Sequence, residues 1–111
     1  LNLDNKKFIT TENKSGLSSG ETIFHYFQNG TTITGKYKGG SILEGLFIGK
    51  QTQDSEIELL YQCLTTEGEL KAGESKGKIS ETKSGKLKLE FDWNWLNGDL
   101  SGGKSEYKEI E

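Results

Sequence analysis

From Leu87 to Trp95 the chain alternates without a break: Leu87, Leu89, Phe91, Trp93 and Trp95 are apolar, and Lys88, Glu90, Asp92 and Asn94 fill the positions between. Successive side chains of a strand point to opposite faces, so this run predicts a strand with one apolar and one solvated face. The same period of two recurs along most of the 111 residues and predicts strands near residues 5 to 12, 21 to 28, 31 to 38, 41 to 49, 56 to 64, 69 to 80, 86 to 95 and 99 to 109. Short links with hairpin chemistry separate them. Asn29-Gly30 is the strongest, followed by Gly39-Gly40, Glu67-Gly68, Ser84-Gly85 and Asn97-Gly98. One longer loop is expected from Asn13 to Gly20. Helix has little support: even the longest stretch without Gly, Lys50 to Glu67, alternates as Ile57, Leu59, Tyr61 and Cys63.

Hairpin-linked neighbours imply an up-and-down antiparallel order. Eight such strands leave two open edges, which disappear if the last strand pairs antiparallel with the first. The expected fold is therefore all-β, an eight-stranded antiparallel up-and-down barrel forming one domain over residues 1–111. A barrel of eight strands encloses a lumen that side chains fill or that one small ligand occupies. Gly35, Gly45, Gly73 and Gly77 interrupt strands; such glycines weaken a strand unless they mark bulges, bends or close backbone approach.

Which face points inward is clear for strand seven, with Leu87 to Trp95, and for strand three, with Ile33 and Tyr37 around Gly35. Strands two, four and five are apolar on both sides. Phe24 and Tyr26 oppose Ile23 and Phe27; Leu43 and Phe47 oppose Ile42, Leu46 and Ile48; Ile57, Leu59 and Tyr61 oppose Leu60 and Leu64. A barrel has one interior, so half of these side chains lie outside it, and a contiguous apolar patch of that kind marks an interface. A homo-oligomer is expected through the outer faces of strands 41–49 and 56–64.

Composition narrows the partners. A chain of this length removes roughly two thirds of its unfolded surface from water, enough for one modest core. It contains no Pro, Arg, Val or Met, and all 14 basic residues are Lys. Without Arg no bidentate fork for carboxylate or phosphate can be built. A net charge of −3 with no basic cluster argues against nucleic acid and against acidic membranes as partners. No apolar run approaches the ~18 residues of a membrane helix. The single cysteine, Cys63, excludes an internal disulfide, and the first residues, LNLDNKKF, lack the apolar segment of a secretory signal, so a cytoplasmic setting is expected.

The motifs that could carry chemistry read as structure. Gly98 to Ser105 fits the phosphate-loop pattern GxxxxGK[ST], whose chemistry needs a following helix; only Glu106 to Glu111 remain, so a hairpin turn and a last strand are expected. His25 and Cys63 would have to meet from nonadjacent strands to act as base and nucleophile, and a Cys alternating with Tyr61 and Leu59 reads as a small buried hydrophobe. One His and one Cys fall short of a metal site. Glu67, Glu69, Asp92 and Asp99 near strand ends read as solvated charge. No cofactor, metal ligand or catalytic residue is expected.

Aromatic content is the more informative signal. The presumed lumen receives Phe24 and Tyr26, or His25 and Phe27, then Tyr37, Tyr61, Phe91, Trp93, Trp95 and Tyr107. Tyr and Trp pair a large apolar area with a polar tip, so several converging in a concave site either cage a ligand or fill the core. Tyr37, Tyr26, Tyr61, Trp93 and Trp95 are the candidate ligand-binding residues.

The run Phe24-x-Tyr26-x-Gln28-x-Gly30-x-x-Ile33-x-Gly35-x-Tyr37-x-Gly39-Gly40-x-Ile42 resembles a family of small bacterial avidin-like or calycin-like β-barrels, some of whose members carry the label N-acetylglutamate synthase. Thr66-Glu67-Gly68-Glu69-Leu70 and Trp93-x-Trp95-x-x-Gly98-Asp99-x-Ser101-x-Gly103-x-Ser105 extend the resemblance over most of the chain from about Phe8. A barrel this short leaves no room for an acetyltransferase fold. Gly30-x-x-Ile33-x-Gly35-x-Tyr37 is also similar to the third strand of avidins, where the Tyr hydrogen-bonds the ligand carbonyl, and this implies the same role for Tyr37. Phe8 and Thr10 stand where avidins carry a first-strand Trp and Asn, so the resemblance stops short of biotin.

The leading expectation is a cytoplasmic barrel that binds a small, partly apolar ligand in its lumen without catalysis. An oligomeric scaffold with a filled lumen is the alternative. An enzyme using His25 or a carboxylate such as Glu69, Asp92 or Asp99, as in calycin-like isomerases, comes third.

Overall fold

The computed structural model describes residues 1–13 and 17–110. Strands β1 (Lys6–Asn13), β2 (Ile23–Asn29), β3 (Thr32–Gly39), β4 (Ile42–Gln53), β5 (Glu56–Thr65), β6 (Leu70–Glu81), β7 (Leu87–Trp95) and β8 (Gly102–Ile110) pair antiparallel in chain order. β8 then pairs with β1, Phe8 opposite Glu109 and Thr10 opposite Tyr107, and the barrel closes. Two boundaries move by more than two residues relative to the alternation pattern. β4 runs on to Gln53, and β8 begins at Gly102 because residues 96–101 turn, with Trp95 N donating to Ser101 O at 2.8 Å. Residues 14–16 of the expected Asn13 to Gly20 loop lie outside the described residues.

Tight turns follow the predicted chemistry. Gly30 and Gly40 both sit at φ near +61°, a conformation that L side chains rarely adopt. Inward rows are set by the pleat: Phe24 and Tyr26 on β2, Ile33 and Tyr37 on β3, Ile57, Leu59 and Cys63 on β5, and all five apolar residues of β7. On β4 the simple alternation fails. The register shifts between Ile42 and Glu44, so Leu43 is an extra residue and Ile42 points inward with Phe47 rather than outward with Leu46 and Ile48. A bulge of one residue inverts every face assignment beyond it.

The inward glycines answer the question left by the sequence. Gly35 lies directly opposite Phe47, Gly45 opposite Tyr37, Gly73 opposite Tyr61, and Gly77 opposite Phe91. A Cβ at these positions would stand 2.0, 2.5, 2.5 and 2.3 Å from the facing ring. Each glycine is a recess that receives an aromatic ring from the next strand, which lets bulky side chains share a narrow interior.

One end of the barrel is stoppered. Leu3 is fully buried there, with its N–H donating to Gln28 Oε1 at 2.9 Å. Gln28 Nε2 donates to Gln51 Oε1 at 2.6 Å, and Gln51 Nε2 donates to Leu1 O at 2.8 Å and Asp54 O at 2.9 Å. Two amide side chains thus lace the first residues across the opening. Lys6 and Lys86 converge on Glu109 at the same end, at 3.5 and 4.0 Å, while Glu109 also accepts from Leu87 N at 2.8 Å.

Gly73→Ala is expected to destabilise the fold by about 1–3 kcal/mol, because the Tyr61 ring has to leave its recess. Urea unfolding should show a lower midpoint at unchanged slope, while Ser80→Ala on the outer face of the same strand stays within about 0.5 kcal/mol of the parent.

Candidate ligand-binding site

The end opposite the Leu3 stopper carries the β1–β2 connection and the β3–β4, β5–β6 and β7–β8 turns. Between it and mid-barrel lies a cavity of about 70 Å³. That is several times the ~10–15 Å³ needed by one water molecule and about half the size of an apolar cavity known to admit benzene.

Two aromatic groups form its walls. On one side Phe24 stacks on Tyr37 at 4.9 Å and 12°, and meets Tyr107 edge-on at 5.0 Å. On the other, Tyr61 and Trp93 each pack edge-on against Trp95, at 5.7 and 5.5 Å. Gly73 lies opposite both Tyr61 and Trp95, and its missing side chain allows the two rings to meet over it. Tyr26 sits against Phe8 at 5.3 Å and Phe47 at 4.6 Å. All five residues singled out from the sequence, Tyr26, Tyr37, Tyr61, Trp93 and Trp95, line this one cavity.

Small polar groups that the sequence did not single out line it as well. Asn13 Nδ2 donates to Ser18 O and Oγ at 3.0 Å, and Ser105 Oγ donates to Tyr107 OH at 2.8 Å; Ser18 Oγ also accepts at 3.0 Å from Oγ1 of Thr10, a residue outside the lining. Asn13 Oδ1 is buried with no partner among the described residues. Ser75 and Ser105 were legible as inward positions by parity on β6 and β8. Ser18 was not, because a loop residue has no pleat to place it.

Burial raises the pKa of every tyrosine. It dominates for Tyr26, which Tyr107 raises further; Tyr37 is also raised by Cys63, and Tyr61 by Tyr107. For Tyr107, hydrogen bonds with Ser105 and Ser18 offset part of the effect. The phenols are therefore neutral donors at physiological pH. Burial likewise raises the Cys63 thiol, against the opposing pull of the Tyr37 hydroxyl and Lys71, which leaves it a thiol rather than a nucleophilic thiolate. Tyr37 OH also donates to Gln62 O at a long 3.2 Å.

His25 lies on the outer face, 2.9 Å from Asn5 Oδ1 and with its ring 4.3 Å from Phe27. Its pKa is lowered by partial desolvation and then by Lys7 and Lys36. The barrel wall separates it from Cys63, so the two form no catalytic pair. Glu67, Glu69, Asp92 and Asp99 are exposed and none lines the cavity. Gly98 to Ser105 passes from the turn directly into β8, without the helix that a phosphate loop requires. Among the described residues no cluster of three metal-ligating side chains occurs, and no helix is long and apolar enough to cross a membrane.

A meander of eight strands, closed on itself, stoppered at one end and hollowed between aromatic walls at the other, defines a barrel of the ligand-holding class. The chain matches the model of the avidin-like protein family over residues 1–110, and it belongs to that family. No curated protein matches it. The sequence expectation of an avidin-like, all-β, eight-stranded barrel is thus met by both the family match and the topology.

The raised phenols give a spectroscopic prediction. Because folding favours the neutral form of each, the associated stability is complete below the unfolded pKa of about 10 and is lost as the pH rises above it. In an alkaline titration, tyrosinate absorbance from the four tyrosines should therefore lag behind that of free tyrosine and appear together with loss of the near-ultraviolet circular dichroism.

Proposed function

We propose that this barrel is a noncatalytic cytoplasmic binding protein that takes up a small molecule through its open end, with the inserted part of the ligand uncharged and partly apolar. The observation that carries the reading is the cavity lining. It combines Tyr, Trp and Phe walls with Ser, Asn and Tyr polar tips, and among the described residues it contains no Asp, Glu, Lys or His. Burying an unpaired charge there would cost several kcal/mol, whereas a neutral polar group can be met by a directed hydrogen bond. Tyr37 is the primary donor in this reading, since its present bond to Gln62 O is long enough to yield to a ligand acceptor. Asn13 Oδ1 offers a complementary acceptor, and Tyr61, Trp93 and Trp95 are the apolar wall. The cavity speaks against a solidly filled lumen, and the outward placement of His25 and the carboxylates speaks against the enzyme reading.

The outer surface favours self-association alongside ligand binding. Ile48 lies opposite Leu60, next to Leu46 on the same face, and these side chains are 57, 54 and 57% exposed. With Leu43 they form an apolar strip on β4 and β5, the surface from which a homo-oligomer was expected.

Two measurements test these readings. Tryptophan emission should respond to members of a library of small neutral and amphipathic molecules; Tyr37→Phe should weaken that response about 2- to 10-fold in affinity, and Trp93→Ala should abolish it. A response unchanged in both variants would refute lumen binding. Sedimentation should show a concentration-dependent oligomer in the parent that Ile48→Lys shifts to monomer, and a parent that stays monomeric at high concentration would refute self-association.

A further inference from the structure

The outer wall of β8, β1, β2 and β3 gathers cations that lie far apart along the chain. Two rows cross it side by side, each residue opposite the next: Lys108, Ile9, Ile23 and Lys38 in one, and Ile110, Lys7, His25 and Lys36 in the other. All four lysines are exposed, and none forms an ion pair among the described residues. Neither β2 nor β3 contains an Asp or Glu. Glu109, between Lys108 and Ile110, is turned to Lys6 and Lys86 at the stoppered end. Glu12 and Glu106 face each other beyond the two rows, where Glu106 meets Lys88 at 3.8 Å. His25, between Lys7 and Lys36, is held neutral by partial desolvation and then by both lysines.

This wall is apolar as well as cationic. Ile23 and Phe27 are 46 and 37% exposed, Ile9 and Ile110 are half-buried, and the Phe27 ring lies 4.3 Å from that of His25. Lysine stems lie along such side chains and carry their ammonium groups outward into a polar layer. The sequence argued against acidic membranes because no basic cluster occurs along the chain. The structure builds one across the strands, where register brings Lys7, Lys36, Lys38 and Lys108 onto one wall. The net charge of −3 is therefore unevenly spread.

We propose that this wall docks on a bilayer surface that carries anionic lipids. It lies outside the cavity and apart from the β4–β5 strip, so the inference depends on neither ligand uptake nor self-association. Four lysines meet the negative surface potential of such a bilayer, and the wall offers no carboxylate to oppose them. The isoleucines and Phe27 enter the boundary between headgroups and acyl chains. A nucleic-acid face would call for bases to stack on aromatic rings, and aliphatic side chains set between the cations serve that poorly. Lysine without arginine supplies mobile point charges rather than rigid forks, which suits a fluid layer of headgroups better than the fixed acceptors of a folded partner. The barrel rests on the surface without spanning it, because its outer wall carries charged side chains on β5, β6, β7 and β8 as well.

The probes are vesicles of phosphatidylcholine alone and vesicles with about one third phosphatidylserine, with binding followed by co-sedimentation near physiological salt. The parent should bind the anionic vesicles only. A combined Lys7→Gln, Lys36→Gln, Lys38→Gln variant should bind about a hundredfold more weakly, at roughly fivefold per lysine. Lys76→Gln, Lys78→Gln, Lys104→Gln, which changes net charge equally on another wall, should stay within about twofold of the parent. Ile23→Gln should weaken binding by about threefold or more through lost apolar insertion. Thermal melts establish that each variant is folded. Failure of the parent to bind anionic vesicles, equal losses in the two triple variants, or an Ile23→Gln variant that binds as the parent does would each overturn the inference. Capture of a single-stranded thymidine oligonucleotide in place of vesicles, lost in the first triple variant, would overturn it too and assign the wall to nucleic acid.

Discussion

Gly35, Gly45, Gly73 and Gly77 are the recesses on which the barrel interior is built. Eight strands of this length enclose too little space for the aromatic side chains that point inward unless some inward positions carry no side chain at all. The solution here is pairwise: where one strand presents Tyr37, Phe47, Tyr61 or Phe91, the neighbouring strand presents hydrogen. A glycine inside a strand costs conformational entropy, roughly 0.5–1 kcal/mol relative to Ala, and the buried ring returns more than that in apolar area. Remove the recess and the ring must move into the space that forms the cavity, so the packing and the shape of the hollow depend on the same four contacts.

The same device explains why the cavity lies towards one end. Phe8, Ile33, Leu89 and Leu3 are all fully buried, and Leu3 with the Gln28–Gln51 lacing completes the seal at its end. Towards the open end the inward rows carry tyrosines, tryptophans and serines, whose shapes and polar tips do not interlock as tightly as aliphatic side chains. The hollow is therefore a product of composition along the barrel axis, with interlocking apolar side chains at one end and partly polar ones at the other.

Much of this was legible in the sequence, for a physical reason. Period-2 alternation reports directly on the pleat, so the eight strands, their hairpin order and the inward rows of β3 and β7 could be read from Leu87–Trp95 and its counterparts. β4 was misread at its start because one added residue, Leu43, inverts the parity, and nothing in Ser41-Ile42-Leu43-Glu44 distinguishes a bulge from a regular strand. The inward glycines were recognised as bends or close approaches; deciding between these required the register, which pairs each with a ring. Four of the five candidate site residues lie in strands whose parity was unambiguous once β2 was oriented, with Tyr61 the exception, since β5 is apolar on both faces. Ser18 and the Asn13 acceptor were out of reach, since loop side chains obey no period.

The lacing of Gln28 and Gln51 across Leu3 bears on kinetics as well as packing. If the proposed lumen binding holds, that obstruction leaves a bound molecule a single way in and out, at the opposite end. Residence time is then governed by whatever happens around Leu17, Ile42 and the neighbouring turns, so changes at this rim can lengthen or shorten occupancy without touching a single group that contacts the guest deep in the barrel.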